Sequence, residues 1–80
     1  MSSASEDLLA VVRLLVDHPK EATVEAVEDA EGVELQVEVA ATDRGQVIGR
    51  RGRTIDALRA LARVRGEREG RDVAVELVED

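Results

Sequence analysis

The chain has 80 residues, no cysteine, no aromatic residue and a formal net charge of −7. Such a length supports one domain, because small chains bury only about 60% of their unfolded surface and cannot sustain two cores. Disulfides and thiolate metal sites are excluded, and the core must come from Val, Leu, Ile and Ala, the larger of them worth about 1.5–3 kcal/mol each when fully buried.

Ser3 and Glu6 stand at the S-x-x-E spacing of a capping box, ahead of an apolar helical pattern. Leu8, Leu9, Val11, Val12, Leu15 and Val16 give that helix a broad apolar face, and Pro19 stops it. Glu6 and Asp7 precede the apolar run where a secretory signal would be basic, and no apolar run approaches the ~20 residues that span a bilayer. A cytoplasmic chain with no membrane partner is the expectation.

Residues 22–28, ATVEAVE, form a weaker candidate strand, and DAEG after it has turn composition. VELQVEVA then alternates, with Val33, Leu35, Val37 and Val39 on one face and Glu34, Gln36 and Glu38 on the other, as in a strand with one wet side. Arg44 to Ile48 is long enough for about one helical turn. A longer helix is expected from Arg53 or Thr54 to about Arg65, followed by a polar loop, GEREGRD, and a last strand, VAVELV. The order is α-β-β-α-α-β, and one three-stranded sheet packed on helices is the simplest single-core solution, an α+β domain. Residues 1–4 are expected as a flexible tail and 5–80 as the domain.

The net charge hides a segregation. Residues 1–43 carry a balance of −9, residues 44–71 one of +6, and residues 72–80 one of −4. A partner sees the basic segment rather than the average.

Within it lies GQVIGRRGRTIDAL, residues 45–58. A G-x-x-G turn between helices lets the backbone take positive φ and removes side chains that would hold a ligand off the main chain. The following helix offers unpaired N–H groups and the positive end of its dipole, and Arg50, Arg51 and Arg53 add donors suited to phosphate oxygens. A phosphate-binding P-loop is excluded because the expected Lys is Arg53 and the glycine five before Gly52 is Val47; Val47 also breaks the dinucleotide fingerprint. Alone, four residues of this form are more often a plain helix-to-helix turn.

VIGRRGRTIDALRALA, in this element order and length, resembles the KH domain of the bacterial, type II arrangement. The whole chain is similar to the small single-domain KH RNA-binding proteins of bacteria, the KhpA family. The resemblance covers residues 5–79, with most of its specificity in 45–62. It implies binding of single-stranded RNA, or DNA, by a clamp of Gly49, Arg50, Arg51 and Gly52 on the backbone of about four nucleotides, with bases in an apolar groove beside it. Val47 and Ile48 belong to the helix before the clamp, Arg53 follows it, and Ile55 packs beneath or beside the groove. An RNA chaperone or post-transcriptional regulator is implied. Homodimers, or heterodimers with a larger KH-containing protein, are the implied protein partners. The alternative is an assembly module with a KH fold and little RNA affinity.

On the helical wheel of residues 53–65, Ile55, Leu58, Leu61 and Ala62 share an arc that should face the sheet. Asp56, Arg59 and Arg63 make a polar stripe, either an extension of the phosphate track or a solvated ion-pair row. Ala57, Ala60 and Val64 occupy the remaining side, either as helix formers or as a second contact surface. His18 precedes Pro19 at a helix end, where a cation or a backbone hydrogen bond is its ordinary use. The acids are expected on solvated faces with no pair set apart for acid–base chemistry. No enzymatic activity, metal or cofactor is expected.

Overall fold

The structure, a computed structural model, describes residues 3–79. Residues 1 and 2 of the expected tail, the Ser3 side chain of the expected capping box and Asp80 lie outside the described residues. Helix α1 spans Ser3–Leu15, and Ala4 is already buried in its first turn. Leu8 and Val12 carry the buried side of α1, with Leu9, Val11 and Leu15 packed at its margin. A short 3-10 turn at Pro19–Glu21 leads into strand β1, Thr23–Glu28.

The turn to strand β2, Val33–Glu38, is tied by Asp29, whose carboxylate accepts the N–H groups of Glu31 at 2.8 Å and Gly32 at 3.0 Å. This is the ordinary use of Asp in a turn. A second 3-10 turn, Ala41–Asp43, precedes helix α2, Arg44–Ile48. A third, Arg50–Gly52, joins it to helix α3, Arg53–Glu69, and strand β3 is Val73–Leu77.

The sheet order is β1-β2-β3, with β1 antiparallel and β3 parallel to β2. The parallel pair is reached through α2 and α3, the crossover that parallel strands require. Val33, Leu35 and Val37 alternate inward on the central strand, and Val75 of β3 lies opposite Leu35. Leu8 and Val12 of α1, Val47 of α2, and Ile55, Leu58 and Ala62 of α3 complete one aliphatic core.

Two expectations about the long helix are corrected. It continues a full turn past Arg65, because Gly66 is a packing residue and not a breaker. A Cβ there would lie 2.6 Å from the Arg71 carbonyl oxygen and 2.6 Å from a Val73 methyl. The true stop is Gly70, left-handed at φ 71, with the Gly70 N–H bonded to the Glu67 carbonyl and the Arg71 N–H to that of Gly66. That is a Schellman-type end.

Leu61 does not face the sheet: it is 56% exposed. The inward arc is the narrower set Ile55, Leu58, Ala62 and Gly66, which leaves Leu61 at the edge beside α1.

Candidate nucleic-acid interface

The glycine-arginine turn is built by a rapid succession of left-handed residues. Helix α2 ends at Gly49, whose N–H donates to the Gly45 carbonyl at 2.9 Å. Gly49 has φ 74 and ψ 174, a region essentially reserved for glycine. A Cβ there would strike the Thr54 hydroxyl and lie 2.7 Å from Thr54 Cβ, so the first turn of α3 sits directly against this backbone.

Arg51 follows at φ 55 and ψ 26, the only non-glycine residue with positive φ among those described. Gly52 is again left-handed, at φ 73, and donates its N–H to the Gly49 carbonyl at 3.2 Å. The chain thus reverses over four residues and leaves Arg50 and Arg51 exposed on the crest. A left-handed arginine costs about 1–2 kcal/mol, and strain of this kind is held where surrounding structure over-determines it.

The charges at the turn are free. Among the described residues, Arg50, Arg51 and Arg53 are exposed and pair with no carboxylate. No side chain caps α3 at Gly52, so the positive end of a 17-residue helix opens beside them, the setting that favours an anion.

Three other arginines of the basic segment are engaged. Arg59 lies 3.3 Å from Asp56 and directs its Nε toward the Val75 carbonyl at 3.4 Å. Arg65 meets Asp7 at 3.4 Å, and Arg71 meets Glu28 at 2.7 Å. Arg63 borders a shallow depression with Glu34, Glu67 and Asp72. Arg59 is therefore engaged by Asp56 and β3, whereas Arg63 is exposed and, among the described residues, makes no ion pair.

The apolar residues of the candidate set separate by depth. Ile48 is half-buried next to the turn, Ile55 is buried, and Val47 is 0% exposed. Val47 has no surface and Ile55 only 6%, with an Ile55 methyl beneath Gly52, so both support the turn from below.

The family profile described as KhpA/KhpB, KH domain matches residues 5–77. The chain belongs to this KH-domain family. Its type II α+β element order agrees. Among similar proteins is the RNA-binding protein KhpA of Leifsonia xyli subsp. xyli, 45% identical over 73 residues, which cover 91% of this chain and 93% of that one. The RNA-binding protein KhpA of Chlamydia caviae is 36% identical over 76 residues, covering 94% and 97%. That of Listeria monocytogenes serovar 1/2a is 31% identical over 74 residues, covering 92% and 97%.

Opposite the helices, the KH sheet presents a face of one sign. The register places Glu25 beside Gln36, and Gln36 beside Glu76; Glu34 and Glu38 lie on the same outward side of β2. The strands contribute no basic residue to it.

One buried polar group was invisible to pattern. Asp43, expected on a solvated face, is 1% exposed. Its carboxylate accepts the His18 backbone N–H at 3.0 Å and sits 3.1 Å from the His18 ring Nδ1. The only sequence hint was an Asp immediately before a short helix, where it would ordinarily cap; here its side chain makes no cap bond and turns to His18 instead.

The hydrogen bond to Asp43 and that residue's charge hold the His18 ring above its ordinary value, outweighing desolvation; Glu21 and Asp17 add to the rise. Burial pushes the Asp43 carboxyl up, but the His18 ring and the backbone N–H groups of His18 and Asp17 together bring it below its ordinary value.

The signs follow from linkage. The stability contributed by His18 is complete below about pH 6.5 and fades as pH rises through its raised folded value, while that of Asp43 is complete above about pH 3.9 and is lost as pH falls through its lowered one. Thermal melting should therefore decline on the alkaline side of the His18 titration, and His18→Gln should flatten that limb. An identical pH profile in the variant would remove His18 as its cause.

Among the described residues no cluster of three or more His, Cys, Asp or Glu side chains could hold a metal. No helix there is long and apolar enough to cross a membrane.

Proposed function

We propose that the chain is a non-enzymatic, cytoplasmic RNA-binding protein that holds single-stranded RNA by its sugar-phosphate backbone at Gly49–Arg53. The observation that carries this is the left-handed turn with Arg50, Arg51 and Arg53 unpaired at the uncapped start of α3. Its relatives' names, RNA-binding protein KhpA, support the same reading. Stacking on aromatic side chains, worth ~1–3 kcal/mol per base, is closed to a chain without Phe, Tyr or Trp. Sequence preference is accordingly weak, and Ile48 is the apolar side chain nearest the turn with surface to give a base.

Fluorescence anisotropy of a short labelled RNA, titrated with salt from about 50 to 200 mM, tests the clamp. Three arginines on three phosphates should give a log–log slope of about −2, at roughly 0.7 per contact on a single strand. A flat response would exclude backbone binding.

Self-association is the second element of the proposal. Leu61 and Val64 are each 56% exposed on α3, and with Val11 of α1 they line a groove of about 220 Å³. Asp7 on one wall and Arg65 and Arg68 on the other give it both signs. A two-fold pairing presents the same patch to itself, and a rim of mixed charge is complementary under that operation. The occupant is a second copy of this chain. Light scattering after size exclusion should report a dimer for the wild type and a monomer for Leu61→Asp/Val64→Asp. A wild-type monomer would refute the homodimer and direct the search to a larger KH-containing partner.

A further inference from the structure

Helix α2 is five residues long, far below the ~12–15 residues at which isolated helices become even marginal in water, so its position is set by whatever holds its ends. At its far end Val47 is anchored in the core. At its near end the anchor is polar. Asp43 donates its N–H to the Ala40 carbonyl at 2.8 Å, which closes the 3-10 turn, and its buried carboxylate reaches 25 positions back to both the main chain and the ring of His18. The segment leaving α1 is thereby stitched to the residue immediately before α2, six positions before Gly49.

A buried carboxylate with two donors is expensive to disturb, since an unsatisfied buried charge costs more than a lost neutral hydrogen bond. The His18 ring, by contrast, is 51% exposed and open to protons from solvent.

We propose that Asp43 is a positioning residue for the glycine-arginine clamp and that His18 is its proton-sensitive partner, so that the set of α2, and with it RNA affinity, follows the protonation of His18. This rests on the clamp proposed above. The protonated ring makes a charge-assisted hydrogen bond that holds the stitch short. The neutral ring still donates from Nδ1, but without the charge, and the near end of α2 relaxes. Asp43 from the α2 side, with Asp17 and Glu21 from the ring's own segment, are the charged groups that bear on His18; all three favour the imidazolium. Arg50 and Arg51, which would contact RNA, take no part in the stitch.

The decisive measurement needs no RNA. Amide spectra of the intact chain, recorded from about pH 5.5 to 8.5, the range in which a histidine changes charge, should show Gly49 and Gly52 moving with the same midpoint as the His18 ring. In His18→Gln those two amides should be still. A parallel anisotropy series should show wild-type RNA affinity falling about fivefold across that titration, the low end of ordinary site-to-site coupling, and His18→Gln losing the dependence. Asp43→Asn should shift both amides and weaken RNA at every pH alike.

Gly49 and Gly52 amides that ignore the His18 titration would overturn the proposal, as would His18→Gln retaining the wild-type RNA profile. Variants that only melt earlier, with profiles unchanged, would assign the pair to stability alone and equally overturn it. Failure of the clamp itself reads differently: Arg50→Asp/Arg51→Asp would then bind RNA as the wild type does at every pH.

Discussion

Reversing the crest charges, Arg50→Asp/Arg51→Asp, is expected to weaken single-stranded RNA binding by about two orders of magnitude. Two charge-assisted hydrogen bonds are worth roughly 1.5–3 kcal/mol each when sheltered, and exposure reduces that. Two aspartates beside a phosphate chain add repulsion of similar size. At about 1.4 kcal/mol per decade, a hundredfold loss is the conservative sum.

The salt slope should fall by about 1.4, for two contacts at roughly 0.7 each. The fold should survive, because both arginines are exposed and, among the described residues, unpaired. Aspartate also tolerates the left-handed conformation at position 51 better than most residues. Anisotropy beside a thermal melt checks both halves. Wild-type affinity in a folded variant would mean that the backbone is held elsewhere.

The largest stability effect is expected at Gly49→Ala. Its φ 74 and ψ 174 lie where alanine is strained by about 1–3 kcal/mol, and the new methyl meets Thr54 in the first turn of α3. Gly52→Ala is the control. It is also left-handed, but the nearest atom to a Cβ is an Ile55 methyl at 3.9 Å, so the conformational cost of about 1–2 kcal/mol stands alone.

At roughly 4–8 °C per kcal/mol for a domain of this size, Gly49→Ala should melt more than about 10 °C below the wild type, and Gly52→Ala by about half that. Circular dichroism melts of the two variants decide it. Equal small losses would mean that the Thr54 contact gives way freely.

Much of this molecule could be read from its residues, and the reasons vary by element. Strand β2 was plain because Val33, Leu35 and Val37 alternate with polar residues on a sheet with one wet face. The turn was plain as a turn, because two glycines three positions apart interrupt the helical pattern; its reading as a clamp came only with the family resemblance.

The end of α3 was misplaced because glycine has two meanings that sequence alone does not separate. Gly66 is helical and lies against β3, whereas Gly70 is left-handed and stops the helix. Leu61 was misassigned because periodicity shows which side chains share an arc but not how wide the opposing surface is. Asp43 lay outside any period, and its burial depends on a loop 25 positions away. No local pattern encodes a pairing of that range. In the site itself, the crest residues were legible, while the division between Ile48 at the surface and Val47 below it awaited the packing.

The glutamates on the outer sheet face have one more consequence. At physiological ionic strength a charge is felt over about 8 Å, less than the molecule's smallest dimension of 21 Å. An RNA strand near the turn then senses three arginines and nothing of the sheet behind them. At about 10 mM salt the reach grows to roughly 30 Å, close to the longest dimension of 34 Å, and the same strand feels the entire −7. The gain in affinity on dilution should therefore level off below about 50 mM salt, under the window in which the slope is read. Dilution, which tightens most protein–RNA contacts, here also brings the far side of the protein into play and offsets part of that gain.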